Sequence, residues 1–135
     1  MRLTGILCVL ILSAVCLPAV DYYRDRSGRI VGTKSTSGSH TVYRDKSGRV
    51  TGSSDAFSDT VTYRDKSGRV TGTSSTVNGR TIYRDKSGKI VGYKDEYNDN
   101  ATYRDKSGRI IGTSSTANGR TIYRDKSGRV IGSEN

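Results

Sequence analysis

Beyond residue 20 no stretch of this chain carries the apolar repeat of three to four positions that an amphipathic helix needs. Apolar and β-branched residues fall instead in short runs rich in Thr, Val, Ile and Tyr, bounded by turn formers, as strands do. The runs are periodic. Tyr-Arg-Asp begins at Tyr23, Tyr43, Tyr63, Tyr83, Tyr103 and Tyr123, a spacing of 20 with no insertion. Each unit reads Tyr-Arg-Asp-(Lys/Arg)-Ser-Gly-(Arg/Lys)-(Ile/Val)-x-Gly and continues with ten more variable residues.

Two turns per unit follow from local chemistry. The first is Ser-Gly, at Ser27-Gly28 and in every later copy. The second falls at Gly38-Ser39, Ser58-Asp59, Asn78-Gly79, Asn98-Asp99 and Asn118-Gly119, pairs that all favour tight hairpins. A two-residue turn at Ser87-Gly88 sets Lys86 against Lys89, Asp85 against Ile90, Arg84 against Val91 and Tyr83 against Gly92. Tyr83 and Ile90 then share one face and Arg84 and Val91 the other, with Gly92 leaving room for the tyrosine ring. The competing register is a three-residue loop ending in a left-handed glycine, which puts Tyr83 and Ile90 on opposite faces. The first is preferred because it gathers the bulky residues into one core.

One such hairpin cannot stand alone. Burying a Tyr and an Ile gains ~4–5 kcal/mol, whereas ordering its backbone costs roughly 20 kcal/mol or more. Stability must come from hairpins pairing in series. The expected fold is an all-β meander of about twelve short strands, running as an open solenoid or closing into a barrel or flower-like ring that removes its edges.

Residues 1–20 are a different material. Arg2 is a short positive start, Ile6 to Leu17 is almost wholly apolar, and Pro18-Ala19-Val20 leads into polar sequence. That is the form of a secretory signal peptide, cut after Ala19 or Val20, and it is too short for a stable membrane anchor. The expected organisation is a leader at 1–20 and a six-repeat domain at 21–135, secreted or periplasmic. Both cysteines, Cys8 and Cys16, lie in the leader; Cys16 lacks the preceding pattern of a lipoprotein site, so lipid anchoring is not expected there. Only 16 of the 115 residues from Asp21 onward are Ile, Val or Phe, so the core must draw on tyrosine.

Tyr83-Arg84-Asp85-Lys86-Ser87-Gly88-Lys89-Ile90 and its copies resemble the YD repeat of Rhs and teneurin-like proteins, a Tyr-Asp-x-x-Gly-Arg-Leu-type hairpin. Here an Arg stands between Tyr and Asp, and the large shell and toxin regions of those proteins are missing. The unit is also similar to short bacterial repeats described as a five-fold β-flower, with their Gly-(Lys/Arg)-(Ile/Val)-x-Gly hairpin. Both resemblances imply an array of hairpins; neither implies an enzyme or fixes a ligand.

The formal net charge is +10, of which only Arg2 belongs to the leader. A basic balance favours polyanionic partners: nucleic acid, anionic lipid or acidic polysaccharide. In the preferred register Arg24, Arg26 and Arg29 share a face with their equivalents. The candidate polyanion ladder is Arg24, Arg44, Arg64, Arg84, Arg104 and Arg124 with Arg29, Arg49, Arg69, Lys89, Arg109 and Arg129. Its hairpins would recur about every 10 Å. The plainer reading is that these cations keep a sheet soluble and block edge pairing. The tyrosines divide in the same way, between stacking platforms and core, while Tyr22, Tyr93 and Tyr97 fall outside the repeated position. His40, the only histidine, sits beside a turn. No catalytic constellation, cofactor motif or calcium-loop pattern stands out from the repeat. The fourth unit is acidic from Tyr93 to Asn100 where its siblings are rich in Ser and Thr, a contact loop, a weak cation site or drift. The expected function is a non-catalytic scaffold that binds an unknown macromolecule through one face; the alternative is a surface polyanion binder.

Overall fold

The computed structural model describes residues 8–11, 13–16 and 19–135. Strands β1 (Cys8–Ile11) and β2 (Ser13–Cys16) pair with each other, apart from the main sheet. The rest of the expected leader lies outside the described residues, except Ala19 and Val20, which open β3. The repeats form β3 (Ala19–Asp25), β4 (Ile30–Ser37), β5 (His40–Asp45), β6 (Val50–Phe57), β7 (Thr60–Asp65), β8 (Val70–Val77), β9 (Arg80–Asp85), β10 (Ile90–Tyr97), β11 (Asn100–Asp105), β12 (Ile110–Ala117), β13 (Arg120–Asp125) and β14 (Val130–Glu134). All twelve are antiparallel to their neighbours, and β14 pairs with β3 to close a barrel. The choice between solenoid and ring is therefore a ring.

Closure repeats a register already present between hairpins. Gly32, Thr33 and Lys34 oppose Asp45, Arg44 and Tyr43, and at the seam Gly132, Ser133 and Glu134 oppose Asp25, Arg24 and Tyr23. The barrel thus has no unpaired edge to protect. The second turns occur where the sequence places them, as two-residue connections such as Asn78-Gly79 between β8 and β9. Asn78 and Gly79 both adopt positive φ, at 51° and 78°, which Asn and Gly tolerate and most residues do not.

The first turn overturns the preferred register. Gly88 N donates to Asp85 O at 3.0 Å and Asp85 N donates to Lys89 O at 2.9 Å, so the loop is Lys86-Ser87-Gly88, with Gly88 at φ 84°. This is a type I turn, Asp first and Gly fourth, with the glycine in the left-handed bulge position. Asp85 consequently faces Lys89, and Arg84 faces Ile90. A bulge at Val91 then restores the expected pairing of Tyr83 with Gly92. The same irregularity recurs in every hairpin, and such bulges bend and twist a strand pair in the way that closure needs.

The face assignment changes accordingly. Tyr83 points into the barrel, while Ile90 shares the outer wall with Arg84. The expected pairing of Tyr with the Ile or Val after the turn in one core does not form: Ile30, Ile110 and Val130, equivalents of Ile90, are 42%, 48% and 40% exposed, while Val91 lies outside, as the expected register had it. Among the described residues the single buried hydrophobic side chain is Ala101, whereas Ser54, Ser74, Thr81, Ser114, Thr121, Asp21 and Glu134 are buried. The barrel is mainly polar inside, where Val61 and Ala101 stand among Ser, Thr and charged residues, and it carries most of its Ile and Val outside. The repeated glycine also has another neighbour than the tyrosine ring. A Cβ at Gly112 would lie 2.6 Å from the Arg124 carbonyl of the next hairpin, so glycine there lets successive hairpins approach.

Candidate functional site

Two regions concentrate chemistry: the rim formed by the first turns, and the lumen. At the rim each Asp folds back on its own turn. Asp85 Oδ1 accepts from Ser87 N at 2.8 Å and from Lys89 N at 3.1 Å, and the other five units repeat this. The repeated Asp is therefore a turn cap that holds two backbone N–H groups, beyond offsetting charge. The Arg before it is held as well: Arg84 Nη1 donates to Gly88 O at 3.1 Å, as Arg24, Arg44, Arg64, Arg104 and Arg124 do to their glycines. Arg64 and Arg104 further pair with Asp55 and Asp95 at 3.4 and 3.1 Å.

The candidate cations consequently do not share one face. Arg24, Arg44, Arg64, Arg84, Arg104 and Arg124 lie on the outer wall, bent toward the rim. Arg29, Arg49, Arg69, Lys89, Arg109 and Arg129 sit past the left-handed glycine, opposite the capped Asp, and all are exposed. A further set lies at the turn apices: Arg26, Lys46, Lys66, Lys86, Lys106 and Lys126, also exposed. Among the described residues neither of these two exposed sets forms an ion pair. Because every first turn emerges at the same end of the meander, they make one basic crown.

The outer wall of the fourth unit is balanced. Asp95 accepts from Arg80 at 2.6 and 3.1 Å and from Arg104 at 3.1 Å, which holds its carboxyl below the ordinary range. Asp55 is lowered similarly, first by His40, whose Nδ1 lies 2.6 Å away, and then by Arg64. His40 is thus a hydrogen-bond partner of Asp55 at the surface. Tyr22 and Tyr97 are 40% and 79% exposed, and Tyr93 lies under Arg80, 5.7 Å from its guanidinium.

Inside, the six repeated tyrosines ring the lumen. Three are tied to serines of the following strand: Tyr43 to Ser54 at 3.2 Å, Tyr63 to Ser74 at 3.1 Å and Tyr103 to Ser114 at 3.3 Å. In the other units a charged residue stands at that serine position: Lys34, Lys94 and Glu134. Tyr123 donates to Glu134 Oε2 at 2.6 Å, Lys34 pairs with Glu134 at 2.7 Å and Asp21 at 3.0 Å, and Lys94 pairs with Glu96 at 2.5 Å. Burial pushes Tyr23 up to about 12, and it raises Tyr83 and Tyr123 too, the latter helped by Glu134. These phenols are hydrogen-bond donors at neutral pH. A cavity of about 560 Å³ lies among these groups and reaches the Asn98-Asp99 turn.

The lumenal charges were not singled out as sites from the sequence. Their signal was there, as departures from Ser or Thr at repeat positions, but which departures face inward required the register. No group of His, Cys, Asp and Glu suited to a metal ion occurs among the described residues. Comparison with protein-family models, with curated proteins and with solved structures returns no match. The barrel agrees with tandem hairpin repeats, and it is built of six hairpins.

Proposed function

We propose that this chain is an exported, non-catalytic β-repeat scaffold that presents one face to a macromolecule, and that this face is the basic crown. One observation carries the reading: the twelve cations after and within the first turns are exposed and unpaired among the described residues, while the six aspartates beside them are bound to backbone N–H groups. A field of one sign at one end of a rigid ring fits a polyanion, because such a partner gains entropy by releasing its condensed counterions. Adjacent hairpins set the cations ~10 Å apart around the rim, so the footprint is a ring facing the partner end-on.

Titrations of the chain with heparin, duplex DNA and anionic vesicles at several salt concentrations test this. Binding should appear at low salt, and the logarithm of affinity should fall linearly with the logarithm of salt. Lys66→Glu, Lys86→Glu and Lys106→Glu together should flatten that slope and leave the melting transition nearly unchanged, since exposed charges contribute little to stability. Absence of binding to all three at ~20 mM salt, where screening is weak, would leave the crown as a solubility device and overturn the reading.

A further inference from the structure

The lumen departs from the repeat in an ordered way. Lys34 on β4 and Lys94 on β10 replace the serine at the same repeat position, and those two strands are six places apart in a ring of twelve. The two lysines therefore project into the lumen from opposite walls. Each has beside it, in its own hairpin, a tyrosine, Tyr23 or Tyr83, whose hydroxyl makes no hydrogen bond to protein among the described residues, unlike those of the serine-tied tyrosines. Each lysine also has a carboxylate at hand, Glu134 for Lys34 and Glu96 for Lys94. The cavity of about 560 Å³ is lined by all six groups, within the ~300–1,000 Å³ span of small-molecule sites.

The geometry points to a binding site for a small neutral polyhydroxylated ligand, a mono- or disaccharide, held between two facing sets of Tyr, Lys and Glu. Three features select that chemistry. An ammonium–carboxylate pair offers a donor and an acceptor side by side, which suits neighbouring hydroxyls, and here such pairs stand on both walls. An anion is disfavoured, because the lysines are already matched by Glu134, Asp21 and Glu96. An apolar ligand is disfavoured too, because the lumen buries Ser and Thr hydroxyls and the cavity is lined mainly by polar and charged side chains, with Ala101 the one aliphatic residue among its described lining. The tyrosine rings supply flat apolar faces for the C–H side of a sugar ring, and the Tyr23 and Tyr83 hydroxyls supply further hydrogen bonds.

The test is calorimetric titration of the chain with glucose, N-acetylglucosamine, maltose and chitobiose, beside glucuronate and indole. At least one neutral sugar should bind, and glucuronate and indole should not. Tyr83→Phe keeps the ring and should weaken that binding about tenfold, the loss of one hydrogen bond. The pair Lys94→Ser and Glu96→Thr should abolish it without harm to the fold, since Ser74 with Thr76 and Ser114 with Thr116 already occupy those positions elsewhere in the ring. Binding of indole or glucuronate in preference, binding that survives the paired substitution, or no neutral sugar bound at millimolar concentration would each overturn the proposal.

Discussion

Lys34 Nζ lies 2.7 Å from Glu134 Oε1, joining residues a hundred positions apart across the seam where the last strand meets the first. Glu134 is only 5% exposed and also receives the Tyr123 hydroxyl, so the seam is fastened from within the lumen as well as by its backbone ladder. Removal of residues 130–135 deletes β14 and leaves β13 and β3 as open edges. Denaturant melts should then show a large fall in midpoint and a shallower, less cooperative transition, because a ring cannot shed one element gradually. A sharp transition with a slightly lower midpoint would mean that the array holds without closure.

The two glycines of a hairpin should answer differently to the same change. Gly108 has φ 85° and open space around its α-carbon, whereas Gly112 would set a Cβ 2.6 Å from the Arg124 carbonyl. Asn tolerates a left-handed backbone, so Gly108→Asn should cost under ~1 kcal/mol. Gly112→Asn forces neighbouring hairpins apart and should cost about 2 kcal/mol or more. Thermal melts of the two variants give the comparison directly.

Asp85 separates charge from turn geometry. Asp85→Asn retains the Oδ1 acceptor for Ser87 N and Lys89 N and should melt close to the parent. Asp85→Ala loses both bonds and should cost about 2 kcal/mol. Equal losses in the two variants would mean that the carboxylate charge, and not the cap, stabilises the turn.

Alkaline pH should unfold the barrel. Burial lifts Tyr23 from 10.0 to about 12 and raises Tyr83 and Tyr123 as well. For Lys34 burial opposes the charge, but its bonds to Glu134 and Asp21 and the nearby Tyr23 outweigh it, so that group is raised too. A group raised on folding contributes stability that is complete below its unfolded value and is lost as pH rises through its folded value. Urea midpoints should therefore hold to about pH 10 and fall steadily toward 12, with the lumenal tyrosines' share of the tyrosinate absorbance appearing together with unfolding.

Much of this architecture is local and so was legible residue by residue. Asn78-Gly79 and its equivalents must turn, because Asn and Gly accept positive φ and the flanking Thr, Val and Ile favour strands. Spacing of the tyrosines demands identical units, and the pairing of Tyr83 with Gly92 holds because the bulge at Val91 offsets the longer turn. At the first turn, turn chemistry outweighs side-chain bulk. Asp85 at the first and Gly88 at the fourth position of a type I turn carry the signal, because Asp can cap the N–H groups that follow and Gly can take the left-handed position.

The sequence by itself determined the period, the strands, both sets of turn sites and a polar, basic composition, because these rest on backbone preferences within a few residues. Only the tertiary structure decided that Ile90 and its equivalents go outward, since that depends on a three-residue loop that shifts the register until the bulge at Val91 restores it. It also decided that Lys34 and Lys94 face each other and that Glu134 meets Lys34. Those relations exist only once the accumulated bend of six hairpins brings β14 beside β3, and no single unit contains the geometry that closes the ring.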